Sequence, residues 1–402
     1  MSKGHIRERS GSWELKYDIG PDPVTGQRRM RSKTVRGAKR DAQRELRRLL
    51  GQVDEGTHAD PGKLSLGAYL DQWLDGHRAT VAPRTAERYS EHIENHVKPV
   101  LGNVLLAKLT TLKLNAYYAD KLATGRMDGQ GGLSAQTVRH LDRLLHTALR
   151  DAVRGRLIAI NPVDEAKRPK VERKAKRTLS PDEFTALLDR AKGGRLYTPI
   201  LMILATGLRR GELLALKWRY VDLEVGVLFV VEAVEETKDG MRIKDVKTAA
   251  SRRRVDLPTF AVDALRDRQR EQKQEHLALG IGWSPDTLVF DNGVGEIRRP
   301  RNFTKEVTRI AASIGITFTP HLGRHDHFTR LLETGVHPKV AQVRAGHSSI
   351  AVTMDVYSHA TDALQLEATE RMQDAFENIR GSSGGKPVAK ALSGGKGTVV
   401  KL

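Results

Sequence analysis

Residues 205–218 read ATGLRRGELLALKW and interrupt a helical pattern in the C-terminal half of the chain. The interruption lies between two apolar stretches with helical spacing, 200–204 and 213–218. Gly207 and Gly211 allow a tight turn between the two helices, so Arg209 is expected to project from a rigid corner. Taken alone, the pattern also fits an ordinary helix–helix turn that carries a solvated arginine.

Three further segments of this half carry residues suited to chemistry. KTAASRRRV (247–255) places Lys247 in a turn between predicted strands, and HLGRH (321–325) places His321 and Arg324 on one helical face. AGHSSIAVTMDVYSH (345–359) places Tyr357 ten residues after His347. Each has a plain alternative: a solvated lysine, a packed tyrosine, or a histidine metal site. The metal alternative is weak, because the zincin glutamate and a carboxylate cluster are both missing.

Taken together, these residues suit the cleavage of a phosphodiester bond. Two arginines can clamp its non-bridging oxygens and neutralise the charge that develops in a pentacoordinate transition state. A lysine or histidine can protonate the leaving alkoxide, and a tyrosine hydroxyl can attack phosphorus. Such a site needs no metal ion.

In order and spacing, the four segments resemble the signature of the tyrosine recombinases of the phage-integrase type. The resemblance implies a catalytic set of Arg209, Lys247, His321, Arg324, His347 and Tyr357. It implies that Tyr357 forms a 3′-phosphotyrosine and releases a 5′-hydroxyl, with Lys247 as the general acid. The two arginines and His347 would hold the phosphate, and His321 would assist proton transfer. Neither ATP nor any other cofactor is implied.

The third segment departs from the usual family pattern His-Asp-Leu-Arg-His-Thr. Leu322 and Gly323 replace Asp-Leu, and Asp326 replaces Thr. Loss of the carboxylate is expected to loosen the geometry around His321 and Arg324. A glycine here also costs a helix up to about 1 kcal/mol relative to alanine. Two other functions therefore stay open: a DNA-binding regulator with a decayed site, and a type IB topoisomerase-like enzyme.

The first 60 residues predict a small sheet-plus-helix domain. Apolar residues alternate over 13–19, a second strand is predicted over 28–34, and helical spacing follows over 38–53. Between Arg28 and Arg48 ten basic residues face only Asp41 and Glu45. This excess favours insertion into a DNA groove over a merely solvated surface. The resemblance identifies the region as the arm-type DNA-binding domain.

The remaining domains are predicted from periodicity and linker composition. Residues 64–170 are predicted to be all-helical, and the resemblance makes them the core-binding domain. Residues 168–177 have the charged, apolar-poor composition of a linker, either solvated or lying along phosphates. The catalytic domain, 178–380, opens with the capping sequence 180–183 and includes a small antiparallel sheet. Residues 381–402 are predicted to be a disordered tail. The fold class is multidomain α+β.

The composition of the chain indicates its cellular compartment and the kind of partner that it binds. The chain of 402 residues has a formal net charge of +19, which indicates a polyanionic partner, either nucleic acid or an acidic membrane surface. It contains no cysteine, which excludes disulfides and thiolate chemistry, and no apolar span or secretion signal. We therefore expect a cytoplasmic, nucleoid-associated protein. Its expected partners are double-stranded DNA with core and arm sites, three further copies in a DNA-bound homotetramer, and an excisionase or host DNA-bending protein.

Overall fold

The computed structural model describes residues 4–21, 28–54, 64–172, 177–246, 251–357, 369–377 and 379. The chain divides into two compact units, Met1–Arg173 and Lys174–Leu402. The division falls inside the predicted linker. The finer boundaries at residues 60 and 64, and the tail at 381–402, stay predictions, and the tail lies outside the described residues.

The N-terminal part of the first unit is a three-stranded antiparallel sheet covered by one helix. Its elements in chain order are β1 (Gly4–Arg9), β2 (Ser12–Pro21), β3 (Arg28–Arg36) and α1 (Lys39–Asp54). Leu15 and Tyr17 of β2 are buried against Leu46 and Leu49 of α1. The predicted strands and helix are confirmed, and β1 supplies the third strand.

The rest of the first unit is helical, as predicted. Its α-helices are α2 (Leu66–His77), α3 (Pro83–His92), α4 (Lys98–Leu101), α5 (Thr111–Thr124) and α6 (Ala135–Arg154). Short 3-10 turns occur at Arg78–Thr80 and Leu106–Lys108, and one π-helical turn occurs at Ile93–Val97. The hydroxyl oxygens of Ser65, Thr110 and Ser134 accept hydrogen bonds from backbone N–H groups at three helix N-termini. These helices enclose one apolar core that is separate from the core of the small sheet.

The second unit is mainly helical. Its α-helices are α7 (Pro181–Ala191), α8 (Tyr197–Thr206), α9 (Arg210–Leu214), α10 (Thr259–Ala278), α11 (Pro300–Ala312), α12 (Pro320–Glu333), α13 (Pro338–Ala345) and α14 (Ile350–Tyr357). The predicted capping box at the start of α7 is confirmed, because Ser180 and Glu183 exchange hydrogen bonds between side chain and backbone. Residues 369–377 are also helical. No helix in the described ranges is long and apolar enough to span a membrane.

The strands of the second unit form two antiparallel groups rather than the single predicted sheet. They are β4 (Val221–Asp222), β5 (Val227–Val230), β6 (Glu232–Thr237), β7 (Gly240–Asp245) and β8 (Arg253–Asp256). The three-stranded sheet has the order β4-β5-β8, and β6 pairs with β7 as a separate hairpin. The predicted strands 225–231, 241–246 and 252–257 correspond to β5, β7 and β8. The strands β4 and β6 are not predicted from the sequence, and β6 escapes notice because three of its six residues are glutamates.

Helix α8 is the centre of the second core and fixes the position of α12. Ile200, Met202 and Ile203 are fully buried in a cluster that also contains Phe318, directly before α12. A Cβ added at Gly323 would lie 2.7 Å from the Phe318 ring and 2.9 Å from Ile203 Cγ2. Glycine therefore lets α12 approach α8 at a distance that alanine would not permit.

Candidate active site

The turn between α8 and α9 places Arg209 at a fixed corner, as the sequence predicts. Gly207 ends α8 in the left-handed conformation at φ 64°, and a Cβ there would meet the ring of His327 at 2.6 Å. At Gly211 an added Cβ would lie 2.8 Å from the carbonyl oxygen of Val234. Both glycines are therefore required by close packing around the turn.

Arg209 is held by a carboxylate and by a helix end. Its Nη1 donates to Glu212 Oε1 at 2.7 Å, and its Nη2 donates to the carbonyl oxygen of Gly346 at 2.9 Å. The same Glu212 carboxylate accepts the backbone N–H of Arg209 at 2.9 Å and so caps the start of α9. The Arg209 side chain is 40% exposed, so its charge faces solvent as well as these partners.

Arg324 is the second arginine of the site, and unlike Arg209 it is buried. Its Nη1 donates to the carbonyl oxygen of Gly207 at 2.5 Å, and its Nη2 donates to that of Ala345 at 2.8 Å. Burial, together with the nearby charge of Arg209, lowers the pKa of its guanidinium to about 9. The group stays cationic at neutral pH, but it has lost much of its hydration and gains more from binding an anion.

His347 joins this pair from the turn after α13. Gly346 ends α13 in the left-handed conformation, and the His347 Nε2 then lies 3.0 Å from Arg324 Nη2. Its Nδ1 lies 3.0 Å from the hydroxyl of the buried Thr353. Burial, and then the charges of Arg324 and Arg209, lower its pKa to about 4, so the imidazole is neutral at pH 7.

A buried ion pair behind these groups was missed by sequence reasoning. Arg253 donates to both carboxylate oxygens of Glu212, at 3.1 and 2.8 Å, and both side chains are 3% exposed. Burial opposes ionisation, yet the hydrogen bonds and charge of Arg253 hold the pKa of the Glu212 carboxyl below its usual value. The sequence contains a signal for Arg253, because it shares the buried side of β8 with the apolar Val255 while Arg254 and Asp256 lie on the exposed side.

The three histidines of the segment 321–327 lie in different environments. His321 lies at the start of α12, whereas His325 is buried beside the hydroxyl of Thr329. His327 lies between the carbonyl oxygen of Leu204 and the guanidinium of Arg344. These three imidazoles therefore do not share one ligand site.

Asp326, the unusual carboxylate of this segment, ties α12 to the start of the second unit. It accepts the backbone N–H of Leu179 at 2.8 Å and the Nε of Arg330 at 2.8 Å, and it is fully buried. Arg330 in turn donates to the carbonyl oxygen of Leu179 at 2.6 Å. The expected loosening around Arg324 is offset here, because backbone carbonyls of other elements hold that guanidinium.

The four described members of the predicted set line one cavity of about 590 Å³. Its lining comprises Arg209, Arg210, Gly211, Thr304, Thr319, Pro320, His321, Arg324 and His347. Among the described residues, the lining carries three guanidinium groups and no carboxylate, which suits an anionic ligand. Lys247 lies outside the described residues. Tyr357 is the last residue of α14, and its side chain lies outside the described part of the structure.

Comparisons with known proteins agree on one family. Residues 177–363 match the Phage integrase family, and residues 65–122 match the Phage integrase, N-terminal SAM-like domain. A "Tyrosine recombinase XerC-like" protein of Caldanaerobacter subterraneus subsp. tengcongensis is 28% identical over 360 residues, which cover 84% of this chain and 90% of that protein.

Two solved structures show the same fold. The Tn1549 transposon integrase in complex with transposon right end DNA aligns with a TM-score of 0.66 and 22% identity, covering 77% of this chain and 99% of that one. A lambda integrase tetramer bound to a Holliday junction aligns with a TM-score of 0.54 and 19% identity, covering 88% and 94%. At these identities the likeness concerns the fold alone.

Proposed function

The chain belongs to the phage integrase family of tyrosine recombinases, and from this premise we propose that its cationic cavity holds the scissile phosphate of DNA. The protein is a site-specific recombinase that breaks and rejoins DNA strands. The observation that carries the proposal is the convergence of Arg209, Arg324 and His347 on one cavity from three separate segments of the chain.

The two arginines are suited to bind a phosphodiester and its transition state. Each guanidinium offers five N–H donors, and the described contacts of Arg209 and Arg324 leave donors on both groups for a ligand. A phosphate that gains negative charge during attack is stabilised more strongly by these partly desolvated cations than by water. His347 adds one hydrogen bond when its Nε2 carries a proton.

The proposed reaction proceeds through a covalent intermediate. The Oη of Tyr357 attacks phosphorus, its proton passes towards His321, and the bond from phosphorus to the 5′ oxygen breaks. Lys247 donates a proton to that leaving oxygen, which becomes a 5′-hydroxyl. The phosphotyrosine keeps the bond energy, so attack by a 5′-hydroxyl of another strand reverses the steps and completes strand exchange.

Substitution of the nucleophile tests this mechanism. Tyr357→Phe removes one oxygen, so core-site DNA binding should persist while the covalent adduct on a nicked suicide substrate disappears. Tyr197→Phe, at the start of α8, is the matched control and should form the adduct at the wild-type rate. A Tyr357→Phe protein that still becomes covalently attached to DNA would refute the assignment.

Three assays separate the alternative functions: adduct formation, relaxation of supercoiled DNA and strand exchange between two sites. A wild-type chain that binds the core site but forms no adduct would be a regulator with a decayed active site. A chain that relaxes supercoiled DNA without exchanging strands between two sites would be topoisomerase-like. Strand exchange between two sites is the result that we expect.

We further propose that the recombinase works as a tetramer on DNA. Its N-terminal domain, residues 1–60, would bind arm sites that are separate from the core site. The lambda integrase has been solved as a tetramer bound to a Holliday junction, and it shares the fold of this chain. Met372, Phe376 and Ile379 are each more than half exposed, which supports docking of this stretch on another copy.

Removal of residues 363–402 should abolish synapsis of two core sites while leaving binding to one site intact. Unchanged synapsis would instead indicate that this segment packs on its own catalytic domain.

A further inference from the structure

The C-terminal end of α13 is bound by three arginines from three different segments. The carbonyl oxygens of residues 344, 345 and 346, here called the carbonyl triad, each accept one guanidinium N–H. The donors are Arg253 Nε at 2.7 Å, Arg324 Nη2 at 2.8 Å and Arg209 Nη2 at 2.9 Å, in that order. The last carbonyls of a helix lack partners within the helix and carry partial negative charge, so cations stabilise them.

Arg253 differs from the other two arginines because it is sealed from the cavity. Its side chain is 3% exposed, whereas that of Arg209 is 40% exposed. Its guanidinium donates to both oxygens of Glu212, to the carbonyl oxygen of Ser251 at 3.1 Å and to the carbonyl triad. With these four contacts, it cannot reach a phosphate in the cavity without first leaving Glu212.

We propose that Arg253 is a positioning residue for the recombination reaction. It connects the carboxylate that orients Arg209 to the helix end that carries His347, so the groups assigned to the phosphate share one buried support. This inference rests on the proposed function of the cavity. It adds a residue that acts through Glu212 and the carbonyl triad rather than by binding the phosphate.

Arg253 contacts two separate elements, and each contact leads to a group that lines the cavity. On one side, Glu212 binds both the backbone and the side chain of Arg209, so movement of its carboxylate turns that guanidinium. On the other side, residue 344 is three positions before His347, which Thr353 links to α14. A shift at the carbonyl triad therefore moves His347 and the helix that ends at Tyr357.

A lysine cannot replace this arginine. The planar fork of a guanidinium satisfies a carboxylate with two donors and still presents others in fixed directions, whereas an ammonium is a single point charge on a flexible stem. Arg253→Lys should therefore slow adduct formation on saturating suicide substrate by about 100-fold, the order of loss caused by a misplaced catalytic group. Affinity for core-site DNA should stay close to that of the wild type.

The adjacent arginine provides the control. Arg254 lies on the same strand, but it is exposed and pairs with Asp256 at the surface. Arg254→Lys should form the adduct at the wild-type rate, and Arg253→Met should lose at least as much rate as Arg253→Lys. Thermal unfolding of each variant identifies the temperature at which all of them are folded, and the rates are compared there.

A double variant distinguishes positioning through Glu212 from a general loss of structure. In a Glu212→Gln background, Arg253→Lys should add less than about a threefold further loss, because residues that act as a unit are not additive. Independent, multiplying losses would overturn the proposal, as would a wild-type rate for Arg253→Lys or a parallel loss of DNA affinity. A wild-type protein that forms no adduct would overturn the proposed function itself, and this role with it.

Discussion

His347 is a neutral side chain, and its contact with the Arg324 guanidinium sets its tautomer. Its Nε2 faces the Arg324 guanidinium, which has only N–H groups to offer, so Nε2 accepts and Nδ1 carries the proton towards Thr353. To donate a hydrogen bond to a phosphate oxygen, Nε2 must carry the proton instead. The Thr353 hydroxyl can serve both tautomers, because it can accept from Nδ1–H or donate to a bare Nδ1.

Thr353→Val should therefore slow adduct formation by about tenfold, which corresponds to the loss of one buried hydrogen bond. Thr353→Ser keeps the hydroxyl and should recover most of the rate. Single-turnover cleavage of a suicide substrate measures both variants. Equal rates for the serine and valine variants would show that the hydroxyl has no role in orienting His347.

At the scale of elements, the active site depends on how closely α12 lies against α8. Gly323 permits this approach, and the next residue is Arg324, so a displacement of α12 moves that guanidinium from the carbonyl oxygens of Gly207 and Ala345. The intrinsic preference of helices for alanine, about 1 kcal/mol, opposes this requirement. The clash with Phe318 and Ile203 decides the outcome.

Gly323→Ala should lower the free energy of unfolding by about 1–3 kcal/mol, the usual cost of overpacking a core, and should reduce the rate of adduct formation. Gly76, in an exposed part of α2 with open space around it, is the control. Gly76→Ala should raise stability by up to about 1 kcal/mol. Urea unfolding measures both, and a stabilised Gly323→Ala protein would contradict this account of α12.

The sequence predicted those elements that have a strong apolar period or a clear cap, such as α6 and α7. It failed at β6, where Val234 and Glu235 are the two buried residues and the rest of the strand resembles a charged loop. The sequence also pointed to Arg209 and Arg324, which both line the cavity, but not to Arg253 or Glu212. A buried ion pair between residues 41 positions apart becomes visible only when α9 and β8 meet, since each charge alone resembles a surface residue.

At the scale of the whole molecule, the basic residues behind the net charge of +19 have different partners in the two units. In the second unit, much of the basic charge at the site binds carbonyls and carboxylates of the protein itself. In the N-terminal sheet, cross-strand pairing places His5, Lys16 and Ser32 on the face opposite the apolar core, with Arg7 near them. His5, Arg7 and Lys16 are exposed on that face, so we expect it to contact a phosphate backbone.

Deletion of residues 1–60 should leave cleavage of short core substrates unchanged and impair recombination of long substrates that carry arm sites. Each phosphate contact of this domain should contribute about −0.9 to the slope of log affinity against log salt. Titrations of arm DNA at several salt concentrations measure this slope for the full chain and for the truncated chain. Normal integration by the truncated chain would show that residues 1–60 do not bind arm DNA.

The hydrogen bonds between Leu179 and α12 connect the start of the second unit to the helix that carries Arg324. Leu179 lies two residues after the linker segment 168–177, and its backbone N–H and carbonyl are both bound by the Asp326–Arg330 pair. Any pull transmitted along the polypeptide from the first unit therefore reaches α12 through these bonds, two residues from Arg324. The helix that we propose to hold the DNA phosphate is therefore also the element that would bear tension on the chain between the two units.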